Sequence, residues 1–348
     1  MRSVVRGLLA LSLTSACGGE PGAGMDTLFT SSSSSDSLTE TSGDDAESGG
    51  STSTQGDGDS STNSSSGGGP VLDVGGADQG GSAEAGGDGC SKVDLLFVVD
   101  DSISMAGEQA NLVASFPDFI DAIQAQLPEA DSYHVGVVTT NAYEFNANGC
   151  TELGALVTQT GGASSSAASC GPFAAGRYMT DGDDLPDVFA CAAKVGVDGS
   201  TDERPIQAMT VALGPAYAGG GGCNEGFLRD DALLVVVVIT DEEDDPFMFY
   251  GELQGSPGDP PDWFDTLVAL KGVETNVVML SIIGGQPGNV CPEPNGVDGA
   301  EDAPRLREFT QMFTHGFLGD VCAPNYGPIF ADSISVIEQA CDGFVPVD

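Results

Sequence analysis

The chain has 348 residues, with 10 Lys+Arg against 53 Asp+Glu and a net charge of −43. That balance excludes nucleic-acid binding through phosphate neutralisation and direct attraction to anionic lipid, since both need clustered basic side chains. With 50 Gly and only 18% charged residues beside 40% hydrophobic ones, one part of the chain is too polar to bury a core and another part carries one.

Residues 1–17 read MRSVVRGLLALSLTSAC. Arg2 and Arg6 form a positive start, Gly7 to Leu13 a short apolar run, and Thr14, Ser15 and Ala16 a small-residue stretch before Cys17. This is the pattern of a secretory signal, too short to span a bilayer. A Cys directly after small residues resembles a bacterial lipoprotein signal, in which that Cys carries the lipid; Thr14 stands where Leu is usual, and Leu13 is one position earlier. Ordinary signal cleavage is the alternative. Removing Cys17 from the 9 cysteines leaves an even number, as an oxidising compartment favours.

Residues 18–89 hold no Cys, Lys or Arg, and 35 of the 72 are Gly or Ser. Such a segment cannot bury enough surface to offset ordering entropy, so it is expected to be a disordered tether reaching roughly 50 Å.

Residues 90–348 suit one large domain. Val93–Val99, Tyr133–Thr139, Leu233–Ile239 and Asn276–Ile283 are short, nearly continuous apolar runs rich in Val and Ile, the pattern of parallel strands covered on both faces. Between them, helical spacing is found at Glu108–Leu127, Leu185–Lys194, Pro205–Tyr217, Trp263–Lys271, Arg305–Phe313 and Ile329–Cys341. Strands alternating with helices predict an α/β fold, a doubly wound, mostly parallel sheet flanked by helices. Its ligands bind beyond the carboxyl ends of the strands.

Two of those ends carry oxygen donors. VDLLFVVDDSISM places Asp100, Ser102 and Ser104 after the first strand, and LLVVVVITDEEDD places Asp241 after the third. In a parallel sheet both loops emerge at one edge. Hard oxygen ligands without His or Cys select Mg²⁺, with Mn²⁺ or Ca²⁺ as alternatives, over Zn²⁺. The bland alternative is that the acids and hydroxyls only close turns.

D-x-S-x-S after a first strand, a hydroxyl-bearing loop before a helix, and T-D after a later strand together resemble the von Willebrand factor type A domain. The resemblance covers residues 90–345. It implies a Rossmann-like sheet and a metal-ion-dependent adhesion site. The implied metal ligands are Asp100, Ser102, Ser104, Asp241 and a hydroxyl in VDGSTDERPIQAM, either Thr201 or Ser200. It also implies binding, without catalysis, of a protein partner through that partner's acidic side chain. Two positions depart from the family: Ile103 and Glu242 stand where Gly is common. NEGFLRDDALLVVVVITDEEDD and the trailing CDGFVPV look like exported domains of this type in myxobacteria, often lipoproteins, which implies a lipid-anchored place in the cell envelope.

Other features are read more plainly. Asp241–Asp245 is five consecutive acids, expected to form a solvated loop with Asp241 alone at the metal, the alternative being a second cation. Asp181, Asp183 and Asp184 in TDGDDLPD are expected to cap a helix, since they lack the acid spacing of an EF-hand calcium loop. Gly219–Gly222 lacks the G-K-[ST] of a phosphate loop and reads as a connector. Short-range logic pairs Cys150–Cys170 and Cys322–Cys341, leaving Cys191–Cys223 and Cys90–Cys291. His134 and His315 are the only histidines, and no G-x-S-x-G elbow occurs, so no enzyme is expected. A Mg²⁺-dependent phosphohydrolase would need an acid at Ser102 and a basic residue for phosphate, and Lys92 lies at the wrong end of its strand. The remaining alternative is a structural envelope protein in which a cation and disulfides only stabilise the domain.

Overall fold

A computed structural model describes residues 89–147, 149–249, 252–286, 291–292 and 299–347. The secretory signal, Cys17 and the tether up to residue 88 lie outside the described residues. The elements run β1 Lys92–Val99, α1 Ala106–Gln126, β2 Ser132–Thr139, β3 Met179–Thr180, α2 Leu185–Ala192, α3 Pro205–Leu213, α4 Pro215–Ala218, β4 Leu233–Ile239, β5 Met248–Phe249, β6 Glu252–Leu253, α5 Pro260–Lys271, β7 Val277–Ile283, α6 Pro304–Gln311, β8 His315–Asp320 and α7 Gly327–Asp342. The main sheet is ordered β3-β2-β1-β4-β7-β8, and β5 and β6 form a separate hairpin. Within the main sheet only β3 runs antiparallel.

The strands are continuous apolar runs because both faces are covered. Leu95, Phe97 and Val99 of β1 join Phe116 of α1, Phe189 of α2 and Phe330 of α7 in one core. Leu96 and Val98 point the other way, onto Met209 of α3, Leu267 of α5 and Phe309 of α6. Alternate residues thus feed two buried layers, as the pleat requires. The helix expected over Pro205–Tyr217 is two pieces, because Gly214 leaves the helical region (ψ 156°) and Pro215 starts anew. The edge strand β8 went unforeseen: its sequence HGFLGD is half-buried and lacks the β-branched run of the central strands.

All four bridges differ from the expected pairs: Cys90–Cys341, Cys150–Cys223, Cys170–Cys191 and Cys291–Cys322. Cys150–Cys170, Cys322–Cys341, Cys191–Cys223 and Cys90–Cys291 fail because nearness in sequence does not decide nearness in space. The long excursion between β2 and β3 is bound outward, Cys170 to α2 and Cys150 to the segment after α4. Cys90, just before β1, meets α7, which packs on α1 and frees Cys322 for Cys291. Four disulfides fit an oxidising compartment. Among the described residues no helix is long and apolar enough to cross a membrane.

Candidate metal centre

Strand register decides what meets here. Val99 pairs with Thr139 on one side and with Ile239 on the other. The next residues, Asp100, Thr140 and Thr240, therefore leave the sheet side by side, where the chain order reverses between β1 and β4 and a crevice opens. The Asp100 N–H still donates to the Ile239 carbonyl at 3.1 Å, so the acid sits on the last rung of the ladder.

Asp100 is fully buried, and both carboxylate oxygens are held. Oδ1 accepts the Ser102 N–H at 2.7 Å, which closes the D-x-S turn, and Oδ2 accepts the Thr240 hydroxyl at 2.6 Å. The Ser102 and Ser104 hydroxyls lie 3.2 Å apart. Ser104 hydrogen-bonds Asp241, and Asp100 is close enough to raise the Asp241 pKa. Asp100, Ser102, Ser104 and Asp241 thus come together. The loop is fastened from below by Gln109 of α1, whose amide donates to the carbonyls of Asp100 at 2.9 Å and Gly196 at 2.8 Å.

Neither hydroxyl expected for the fifth position is buried with them. Thr201 is exposed, and Ser200 is exposed with its hydroxyl accepting the Asp202 N–H at 3.0 Å. The same loop sends in Glu203, 4% exposed, and Asp101, 3% exposed, joins from β1. One oxygen each from Asp100, Asp101 and Glu203 lies within 4.8 Å of the others, a spacing that can hold a metal ion. Asn141 presents them, its amide donating to Asp101 Oδ1 at 3.1 Å and to Glu203 Oε1 at 3.0 Å, while the Thr140 hydroxyl reaches Asp101 at 3.3 Å. Gly199 lets the loop come this near: its N–H donates to the Asp101 carbonyl at 2.8 Å, and a Cβ there would stand 2.5 Å from that oxygen. Asp101 and Glu203 belong to no short motif. The usable signal was an acid just before a helix-starting Arg-Pro, in a loop that must return to the strand tips.

Electrostatically the site is unbalanced. Burial first, and then neighbouring acids, push Asp100 and Asp241 up to about 6 and Glu242 up to about 8. Burial also raises Asp101, and it raises Glu203 well above the carboxylate range, with Asp100 and Asp101 adding to the rise. The ion pairs among the described residues go to other acids: Asp94, Asp202, Asp231, Asp259 and Asp302. Two buried oxygens of the cluster, Asp241 Oδ1 and Glu203 Oε2, have no hydrogen-bond partner. Buried oxygens facing other carboxylates are costly unless a cation meets them, so the donor set fits a hard divalent ion.

The acidic run after β4 is not a solvated loop. Glu243 and Asp244 are buried. Glu243 accepts the N–H groups of Arg305 and Leu306 at the start of α6, and Asp244 accepts that of Ile206 at the start of α3 together with the Ser256 hydroxyl. Helix N-termini with free N–H groups are favourable places for carboxylates. In TDGDDLPD, Asp183 accepts the N–H groups of Ala174 and Thr180 and so ties a turn. The N-cap residue of α2, Asp184, makes no side-chain cap.

A cavity of about 310 Å³ opens beside the cluster, lined by Asp101, Asn141, Tyr143, Asp198, Ser200 and Arg204 among others. Ile103, 66% exposed, sits between the two serines of the metal loop.

No family model and no curated protein matches the chain. Among solved structures it is similar to proximal thread matrix protein 1 from the mussel byssus in crystal form 2 (13% identity, 72% of this chain and 49% of that one, TM-score 0.35). It is likewise similar to that mussel protein with a zinc-occupied MIDAS motif (13% identity, 71% and 48%, TM-score 0.35). A point mutant of the PilB minor pilin from Streptococcus sanguinis is similar at 11% identity over 74% and 64%, TM-score 0.39. The matched region thus spans about half the length of the mussel protein.

Proposed function

We propose that this chain is an exported binding module, lipid-anchored through Cys17 and held off the membrane by residues 18–89, that takes a partner protein's acidic side chain through a divalent cation. Asp241 Oδ1 carries the reading: a buried carboxylate oxygen without a partner, beside two serine hydroxyls and a second buried acid. Ser102, Ser104 and Asp241 would hold the ion, and Asp100, fixed by Ser102 and Thr240, would supply charge behind it. When bound, the ion supplies positive charge in a partly desolvated crevice, where attraction to a carboxylate exceeds its value in water. The all-oxygen donor set favours Mg²⁺, Mn²⁺ or Ca²⁺. His134 Nδ1 lies 2.8 Å from the Phe227 carbonyl, and this reading gives that residue no part in the site.

The test is a titration of Mg²⁺, Mn²⁺ and Ca²⁺ into the full chain and into Asp241→Ala, followed by pull-down from envelope extract with and without EDTA. Metal affinity is expected to fall at least tenfold in the variant, and a retained partner is expected to elute with EDTA. Metal binding with no EDTA-sensitive partner would instead leave a structural envelope protein, and turnover of a phosphate ester would make it a phosphohydrolase.

A further inference from the structure

We infer that a cavity beside Arg177, just before the edge strand β3, binds a small monocarboxylate. This cavity shares no lining residue with the one beside the metal centre, and the inference does not depend on a metal.

Among the described residues, Arg204, Arg229, Arg305 and Arg307 each face an acid. Arg177 forms no ion pair among them, in a chain with 53 acidic residues. Its Nη2 donates to the Leu156 carbonyl at 2.8 Å, and Nη1 donates to the Ala147 carbonyl at a long 3.4 Å. Nε is buried and has no partner. Most of the guanidinium's donor capacity is therefore unspent. Burial also pulls the Arg177 pKa down from its ordinary value. A half-buried cation held only by carbonyl dipoles lacks the counter-charge that would offset its desolvation.

The cavity has a volume of about 280 Å³ and is bordered by Ala147, Thr158, Gln159, Ser169, Gly171 and Arg177 among others. Among the described residues that line it, Arg177 alone is charged. Its walls are fixed before any ligand arrives. Gln159 and Ser169 pair as an isolated β-bridge, and Cys170 beside them is tied to Cys191. Cys150, three residues after Ala147, is tied to Cys223. The Thr158 hydroxyl donates to Asn146 Oδ1 at 3.2 Å and the Ser169 hydroxyl to the Gly171 carbonyl at 2.9 Å, so both are already committed. The donors left for a ligand are those of Arg177 and the exposed Gln159 amide.

Shape and charge decide the ligand class. A planar guanidinium fork matches a carboxylate bidentately. One cation balances one negative charge, so the second charge of a phosphate or a dicarboxylate would go unmet. The volume lies at the small end of ligand cavities, which suits an acid with a short uncharged tail.

The experiment titrates propionate into the isotopically labelled full chain in EDTA, so that no metal ion takes the carboxylate. It follows the side-chain Nε–H resonance of Arg177, assigned by its absence in Arg177→Lys. A saturable shift with propionate is expected, none with propionamide, and weaker binding of inorganic phosphate. Saturation-transfer measurements on propionate then compare Arg177→Gln with Ala147→Leu, which keeps the guanidinium but fills the cavity, with circular dichroism confirming each fold. Each variant should weaken binding on the order of tenfold or more. No saturable shift, an equal response to propionamide, or tighter binding of phosphate would overturn the inference. Propionate affinity unchanged in either folded variant would overturn it as well. None of these outcomes bears on the metal centre.

Discussion

Strand β1 carries a buried acid near each end, and the two are treated differently. Asp94 meets Arg229, whose Nε reaches Oδ1 at 2.8 Å and whose backbone N–H reaches Oδ2 at 2.7 Å. Burial still lifts Asp94 to about 6, against the downward pull of the guanidinium. Asp100, six residues on, is also lifted to about 6, but its neighbours are neutral donors and further acids. At the first end the chain supplies its own counter-charge. At the second it supplies ligands and leaves the charge to come from solution. The paired acid is balanced within the chain; beside Asp100, Asp241 Oδ1 and Glu203 Oε2 stay unmet, an arrangement that suits a cation.

Breaking the first end should have the largest effect. Arg229→Ala strands Asp94 in the core and should cost about 3–5 kcal/mol in chemical denaturation, equally with and without divalent metal. A metal-dependent loss would mean that the two ends are not independent.

At the other end, a divalent ion at a hundred times its Kd should stabilise the domain by about 2.7 kcal/mol, and EDTA should remove the gain. Asp241→Ala should abolish most of it, read as a lost shift in Tm. An unchanged shift in that variant would place the ion elsewhere.

Acidity sharpens the contrast further. Asp100 and Asp241 at about 6 and Glu242 at about 8 lie above their unfolded values, so the folded metal-free chain binds more protons between about pH 4 and pH 8. Its stability is therefore full at the acid end of that window and falls as pH rises through it. Saturating metal should flatten or reverse the slope, leaving the smaller share due to Asp94. Tm against pH, with and without Ca²⁺, checks this; a metal-free chain that gains stability from pH 5 to pH 8 would contradict it.

The smallest effect is a difference of sign. Glu203→Gln should stabilise the metal-free chain by about 1 kcal/mol, because it removes the cost of protonating that buried carboxylate on folding, whereas Asp94→Asn should destabilise it by leaving Arg229 without its acid. Urea midpoints in EDTA compare the two directly.

The central sheet was legible because its strands are buried on both faces, so Val93–Val99 and Leu233–Ile239 announce themselves by composition alone. The half-buried β8 has no such signature. Asp100, Ser102, Ser104 and Asp241 were readable because a strand end plus a short spacing fixes where they point. Glu203 was not, since its place depends on how far a loop of Gly, Ser and Asp folds back, which Gly199 settles by touching Asp101. The acidic run after β4 misled because consecutive charges look solvated; only the positions of α3 and α6 show that Glu243 and Asp244 each meet a helix start. The cysteine pairs were unreadable for the same reason, as they record the return of α7 to the beginning of β1.

That return has a mechanical meaning. Tension entering from the preceding segment reaches Cys90 before it reaches β1 and crosses the bridge to Cys341 in the final helix. The force is shared between two elements before any rung of the sheet is loaded. Asp94, near the start of the same strand, is clamped to Arg229. A pull on residue 90 is thus borne by a covalent bond to the helix as well as by the hydrogen-bonded strand.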